Sequence, residues 1–148
     1  MKVRRAVSED LPQLLPLVRS YCDFYDATPP DAGIEAICRA RISDPGREGP
    51  LLVAEDEAED VAGFAALSFK ASHLHGGHVA YLYDLFVAER ARGAGYADAL
   101  INACADEARA QGCVAMDWLT APGNARARAV YDRVGAVGEP FIEYELRL

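Results

Sequence analysis

The residues best suited to chemistry lie in one stretch, where Leu85-Phe86-Val87 leads into Arg92-Gly93-Ala94-Gly95-Tyr96-Ala97 and then Leu100-Ile101. An apolar run, a small-residue loop and a helical pattern in that order describe a strand that opens into a helix. Glycines in the loop let the backbone approach a ligand closely. The helix start behind them offers unpaired N–H groups and the positive end of its dipole. This combination suits an anion, best a phosphate or pyrophosphate, although a glycine-rich turn without a ligand has the same local pattern. Two phosphate motifs do not fit. A Walker loop ends in Gly-Lys-Ser/Thr, and this one ends Gly95-Tyr96-Ala97. A dinucleotide fingerprint needs a small third position, where Asp98 stands, and normally lies in a parallel βαβ unit.

A second constellation is Asn124-x-x-Ala127-x-x-x-Tyr131-x-x-x-Gly135. Asn124 reads as a helix cap and Gly135 as a stop. On residues alone Tyr131 is a core tyrosine, because Ala127, Val130 and Val134 share its apolar face. Its phenol, with a pKa of ~10, is also a competent general acid.

A known family carries both patterns. Arg92-x-x-Gly95-x-Ala97 resembles the R/Q-x-x-G-x-G/A signature of the GCN5-related N-acetyltransferases, and the Asn124–Gly135 segment resembles the helix that bears that family's catalytic tyrosine. An overlapping match at Arg90-x-x-Gly93-x-Gly95 agrees less well in its distances to Val87 and Leu100. Within the family, the run from Tyr81 to Val87 and Trp118-x-Thr120 look most like the polyamine- and histone-acetylating members. The resemblance implies acetyl-CoA as cosubstrate, held in a splayed V between the strand ending at Val87 and the strand ending near Thr120. Leu85, Phe86 and Val87 would line it as an added strand, and backbone from Arg92, Gly93, Ala94, Gly95, Tyr96 and Ala97 would take the pyrophosphate. Asn124 would contact the thiol end, and Tyr131 would protonate the leaving thiolate.

An attacking amine must be neutral, and an alkylammonium has a pKa of ~10.4, so a base or a water relay is needed. Some polyamine-type relatives carry a strand glutamate where this chain has Tyr83. Asp84 is the neighbouring carboxylate, but strand neighbours face opposite ways unless a bulge re-aims one. Asp84 is therefore a candidate base or a structural acceptor. Asp23, Tyr25 and Asp26 close the first helix, and with Tyr83 would give an acidic, aromatic rim for an amine. His73-x-His75-x-x-His78 has no carboxylate or cysteine beside it, and no metal site is expected. Trp118 reads as core packing.

Those residues need a scaffold. Strands are predicted over Lys2–Val7, Leu51–Glu55, Val61–Phe69, Val79–Val87, Val114–Thr120 and Phe141–Leu148. Helices are predicted from the Ser8 cap to about Tyr25, over Asp31–Ile42 (closed by a turn at Asp44-Pro45-Gly46), after Arg90 up to Gly112, and from Asn124 to Gly135. The order β-α-α-β-β-β-α-β-α-β predicts one mixed α/β domain over residues 1–148. The resemblance adds a mostly antiparallel twisted central sheet with helices on both faces.

Composition narrows the partners. The chain has 148 residues with Lys+Arg 15 and Asp+Glu 23, a net charge of −8, which disfavours binding a nucleic-acid backbone. Cys22, Cys38, Cys104 and Cys113 contain no C-x-x-C pair and read as buried thiols. There is no apolar run of membrane-spanning length and no signal-peptide pattern at the N-terminus, so a cytoplasmic enzyme is expected. The sequence thus predicts direct transfer from acetyl-CoA to a primary amine, polyamine-like or otherwise small. A protein lysine or N-terminus as acceptor, and a non-catalytic acyl-CoA-binding module, are the alternatives. A homodimer is expected by analogy with relatives, with the apolar Phe141–Leu146 tail pairing across its interface.

Overall fold

The structure is a computed structural model covering residues 1–148. Its backbone divides into two compact units, Met1–Trp118 and Leu119–Leu148.

The first unit holds β1 (Lys2–Arg5), α1 (Leu11–Phe24), α2 (Asp31–Ser43), a one-turn α3 (Pro45–Glu48), β2 (Leu51–Glu55), β3 (Val61–Ser72), β4 (Gly77–Val87), α4 (Tyr96–Ala110) and β5 (Ala115–Asp117). The strands form one sheet in the order β1-β2-β3-β4-β5. β1 to β4 pair antiparallel, and β5 joins β4 in parallel. Asp44-Pro45-Gly46 was expected to be a turn. It opens α3 instead, because Pro45 has the φ of a first helical position and the Asp44 carboxylate accepts from Arg47 N–H at 3.1 Å.

Alternation on the strands sorts the two faces. Val53 and Phe64 are register partners and lie in a core with Leu11 and Leu14 of α1 and Ile34 and Cys38 of α2. On the opposite face a Cβ at Gly63 would come within 3.2 Å of Leu100 in α4. There α4 buries Leu100, Ile101, Cys104 and Ala108, and full burial of one such leucine is worth about 2 kcal/mol. Burial in apolar surroundings pushes the Cys104 thiol up to about 12, so it is an inert packing residue. No helix is long and apolar enough to cross a membrane.

The expected cap at Ser8 is replaced by a stronger device. A 3-10 turn, Ser8–Asp10, puts Asp10 under the start of α1, and its carboxylate accepts from Val7 N–H at 2.8 Å. Arg4 donates to both Asp10 oxygens at 2.7 Å and also to Glu55. The triad ties β1, α1 and β2 together, and its two carboxylates are buried.

The second unit holds one helix, α5 (Ala125–Arg133), opened by Asn124 and stopped by Gly135 at φ 85°. Two expectations fail. The strand predicted over Val114–Thr120 is three residues long, Ala115–Asp117. The strand predicted over Phe141–Leu148 does not form: the segment is irregular and its side chains are exposed. Its alternation of Ile142, Tyr144, Leu146 and Leu148 with Glu143, Glu145 and Arg147 meets only half of what a strand requires. The other half is a partner strand ~4.8 Å away to take its N–H and C=O groups, and the sequence pattern of one segment cannot supply that.

The Arg4 guanidinium beside Asp10 holds the Asp10 carboxyl below the usual carboxylate range, with Val7 N–H adding to the effect against burial. A depressed carboxyl contributes stability that is complete above its unfolded value of ~3.9 and is lost as pH falls through the lower folded value. Asp10→Asn is therefore expected to cost about 2 kcal/mol in urea unfolding at pH 7. The gap from the natural protein should close only below about pH 4.

Candidate active site

β4 is the element that positions the chemistry, and its pairing changes along its length. Its first part is covered on both sides, with Val79, Ala80 and Tyr81 opposite Ala115, Met116 and Asp117 of β5. Beyond Tyr81 the two strands part, and the outer edge of β4 from Leu82 to Val87 has no strand beside it. Ala88 N–H donates to Ala62 O on β3 at 2.8 Å. By the alternation of an antiparallel ladder, Phe86 also faces β3, whereas Leu85 and Val87 turn their backbone groups to the open edge. These two positions are the ones the sequence reading assigns to an added strand.

The open edge runs into the glycine loop. Gly93 and Gly95 both adopt φ 85°, a left-handed conformation that glycine tolerates and other residues resist. Nothing lies within 4 Å of where a Gly93 Cβ would stand. Gly95 opens α4 without a side-chain cap, and the first helical bond is Ala99 N–H to Gly95 O at 3.0 Å. The N–H groups of Tyr96 and Ala97 therefore precede the helical ladder. The cradle is narrower than expected at one end, because Arg92 N–H donates to Glu89 O at 3.2 Å. The loop's arginine side chains are also engaged within the protein. Arg90 pairs with Asp56 at 2.7 Å. Arg92 donates from Nε to Val87 O at 3.0 Å and lies over the Phe86 ring. The capacity for an anion thus rests on backbone N–H groups and the helix dipole.

A bulge decides which way Asp84 faces. Ala66 pairs with Asp84 but Leu67 pairs with Leu82, so Tyr83 is an extra residue in β4. Tyr83 is exposed, with its ring against Tyr81 at 4.6 Å. Asp84 turns to the face that α1 and α2 cover, as its register partner Ala66 does. Burial raises the Asp84 carboxyl above its ordinary value, while the neighbouring Tyr21 phenol and the Arg41 charge pull it back. Burial, and then the Asp84 charge, push the Tyr21 phenol up, so it keeps its proton.

The bulge is clamped from the β3 side. The Arg41 guanidinium donates to Leu67 O, and Leu67 N–H donates to Pro50 O at 3.1 Å. Gly49, at φ 82°, passes so close that a Cβ there would stand 1.9 Å from Leu67 O.

The predicted acceptor rim is only partly assembled. Tyr25 touches Tyr21, ring centroids 5.2 Å apart, and Phe24 at 5.0 Å. Tyr83 packs on Tyr81 rather than on Tyr25. Asp23 and Asp26 lie exposed where α1 ends. His75 hydrogen-bonds Ser72 at 2.8 Å, and no group of three potential metal-binding side chains occurs. In the second unit, Asn124 Oδ1 accepts from Ala127 N–H at 3.2 Å, as its capping role requires. Tyr131 is partly buried on α5, and Thr120 Oγ1 is buried without a hydrogen-bond partner.

Tyr21, Arg41 and Gly49 escaped the sequence reading. Tyr21 follows Leu14 and Val18 along one helical stripe and looks like core, while the register slip that gives Arg41 and Gly49 their purpose is not written in any local pattern.

Comparison with known proteins names the fold. Residues 14–136 match the family described as Acetyltransferase (GNAT) family. The chain belongs to the GNAT acetyltransferase family. This GNAT enzyme is 31% identical over 149 residues to the uncharacterized N-acetyltransferase YhfO of Bacillus subtilis strain 168, covering all of this chain and 98% of that protein. The crystal structure of a probable acetyltransferase superposes with a TM-score of 0.85 at 29% identity, over 100% of this chain and 98% of that one. The ribosomal-protein-alanine N-acetyltransferase of Brucella melitensis biovar Abortus 2308 shares the fold, with a TM-score of 0.76 at 20% identity and all of both chains covered. The GNAT sheet expected from sequence, mostly antiparallel with helices on both faces, is the one observed.

Gly49→Ala adds both a left-handed strain and a clash with Leu67 O. It should cost about 3 kcal/mol in urea unfolding. Gly138→Ala, with open space around it, should change stability little in the same assay.

Proposed function

We propose that this GNAT enzyme moves an acetyl group from acetyl-CoA to a small primary amine, in a ternary complex without a covalent acetyl-enzyme. The observation that carries the reading is the open β4 edge, Leu82 to Val87, running directly into the Gly93–Ala97 cradle. A pantetheine arm is an amide chain that an open strand edge can pair with, and a pyrophosphate is an anion that a helix start can hold. The fit is chemical as well as spatial, because the space beside Gly93 is free. When bound, acetyl-CoA supplies an activated acetyl carbonyl as a thioester.

The chain's own residues supply the rest. Leu85 and Val87 hold the arm and direct backbone N–H toward the carbonyl oxygen, where negative charge develops. Asp84 takes a proton from the acceptor's ammonium, leaving a neutral nitrogen that forms the new C–N bond as the C–S bond breaks. Tyr131, with the role that the family resemblance gives it, gives a proton to the departing thiolate, and the proton that the nitrogen sheds as the amide forms restores the phenol. Asn124 caps α5 and faces the thiol end in the same reading. Tyr25, Tyr83, Asp23 and Asp26 would form the acceptor side, where rings and carboxylates favour a cation. Residues 14–136 match one family pattern across the boundary between the two units, which supports a single catalytic domain. Acceptors differ within the fold, since the Brucella neighbour is named for a ribosomal-protein alanine. A protein lysine or N-terminus is the second reading.

Free-thiol release with acetyl-CoA and a panel of polyamines, other small primary amines and Lys- or Ala-terminated peptides tests the acceptor. Small amines should give the fastest release, and release with peptides alone would favour the second reading. Tyr131→Phe should lower kcat at least about 100-fold with acetyl-CoA affinity little changed; unaltered kcat would remove the assignment. Asp84 acts as its carboxylate, so kcat/KM should rise with pH as that group deprotonates. Burial places this limb above the ordinary carboxylate range, and Asp84→Asn should abolish it.

A further inference from the structure

We infer that Lys70 sets the class of acceptor, favouring a primary amine with an anionic far end over one with a second ammonium. The inference rests on the proposed binding of a small amine beside Asp84, and it narrows that reading away from polyamines.

Three observations carry it. The first is the place of the cation. Lys70 Nζ lies over the Tyr81 ring, 5.0 Å from its centroid. Lys70 stands opposite Val79 of β4, and Tyr81 is the diagonal neighbour two residues on, within reach of a long side chain. The ammonium is held by a ring and not by a carboxylate, so its charge stays available to a ligand. The second observation is the shared face. Ala66, Ser68 and Lys70 occupy every second position of β3 and so point the same way. The register sets Asp84 opposite Ala66 and Tyr81 opposite Ser68. The extra residue, Tyr83, is what lets Asp84 and Tyr81 face one side although three positions separate them. Their rows lie about 7 Å apart along the strand. Ala66 belongs to the core beneath α1 and α2, whereas Lys70 is exposed, so this face passes from covered to open between them. The third observation is the ring pair. Tyr83 packs edge-on against Tyr81 at 4.6 Å and is itself exposed, which makes an aromatic floor between Asp84 and Lys70.

The chemistry of that floor differs at its two ends. An exposed ring face attracts an ammonium, and beside Asp84 the attraction serves the reacting end of the acceptor. At Tyr81 the same attraction is already met from within the chain. A second ammonium on the acceptor would have to displace Lys70 or lie beside it, and like charges so close cost about tenfold in binding. A carboxylate at that end would instead pair with Lys70, while the hydrocarbon between lies across the Tyr81 and Tyr83 rings. Repulsion of the wrong ligand and attraction of the right one then act together. Lys70 is remote from the bonds that form and break, so its effect belongs to KM and not to kcat.

Three acceptors of one chain length test this with acetyl-CoA and free-thiol release: aminohexanoate, hexylamine and diaminohexane. In the natural protein kcat/KM per amino group should fall in that order, about tenfold from first to last, with the difference in KM. Lys70→Gln should level the three, and Lys70→Glu should reverse the order. Both variants should match the natural protein in urea unfolding, because the side chain is exposed and lies outside the core. Diaminohexane as the best acceptor of the natural protein would overturn the inference, as would an order that Lys70→Glu leaves in place. Failure of the underlying reading looks different. Thiol release with Lys- or Ala-terminated peptides and with none of the three amines removes the small-amine reading, and the inference with it.

Discussion

The pairing of β3 with β4 is the constraint on which the site depends. A regular antiparallel ladder would send Tyr83 and Asp84 to opposite faces and continue that alternation to Val87. One extra residue in β4, Tyr83, changes the outcome. It brings Asp84 into the core face shared with Phe86 and leaves Tyr83 in solvent. A bulge also increases the local bend of its strand, and the open stretch of β4 contains this one. Such an irregularity persists only if the surroundings favour it over the regular register. Here three contacts converge on Leu67, from the Arg41 guanidinium, the Pro50 carbonyl and the close passage of Gly49. Helix α2 and the turn before β2 therefore hold the irregular stretch of β3 and β4 that carries Asp84.

The same economy governs the anion cradle. Protein charge as a whole is −8, and the two arginines nearest the loop are bound internally, Arg90 to Asp56 and Arg92 to Val87 O. Phosphate binding by this loop, as proposed, would rely on backbone N–H groups and the end of a helix dipole. The arginines contribute indirectly. Arg92 occupies a carbonyl on the open edge and braces Phe86, and Arg90 fixes the 3-10 turn, Glu89–Ala91, that precedes the glycines. The sequence motif thus marks a backbone geometry more than a charge, and net acidity carries little information about the cofactor.

Legibility followed the range of the interaction. The helices, the β2–β3–β4 meander, the Asn124 cap and the stops at Gly112 and Gly135 are local patterns, and they were readable because periodicity, capping and positive φ are decided within a few residues. The glycine loop was readable for the same reason. The strand predicted over Phe141–Leu148 failed because alternation describes a face and not a partner. The Arg4–Asp10–Glu55 triad joins residues up to 51 positions apart, and the clamp on Leu67 joins Arg41 and Pro50 to β3. Neither leaves a local trace. The acceptor residues were legible as types only: Tyr25 and Tyr83 are both exposed aromatics, yet each packs on a different neighbour.

This division bears on how acceptor choice can change within the fold. On the proposed reading the cofactor side is built from backbone, so side-chain substitution there would have little to alter beyond the two glycines. On the proposed reading the acceptor side is built from the end of α1 and the bulge of β4, where Phe24, Tyr25 and Tyr83 remain exposed. Large apolar side chains left in water contribute nothing to the core, so their replacement costs little stability. The proposed base is different, because Asp84 lies on the core face that Ala66 and Phe64 occupy. On that reading, proton removal from the amine would be tied to the part of the protein least free to vary. Recognition of the rest of the acceptor would fall to the part most free to vary, which is the arrangement expected where one chemistry serves many acceptors.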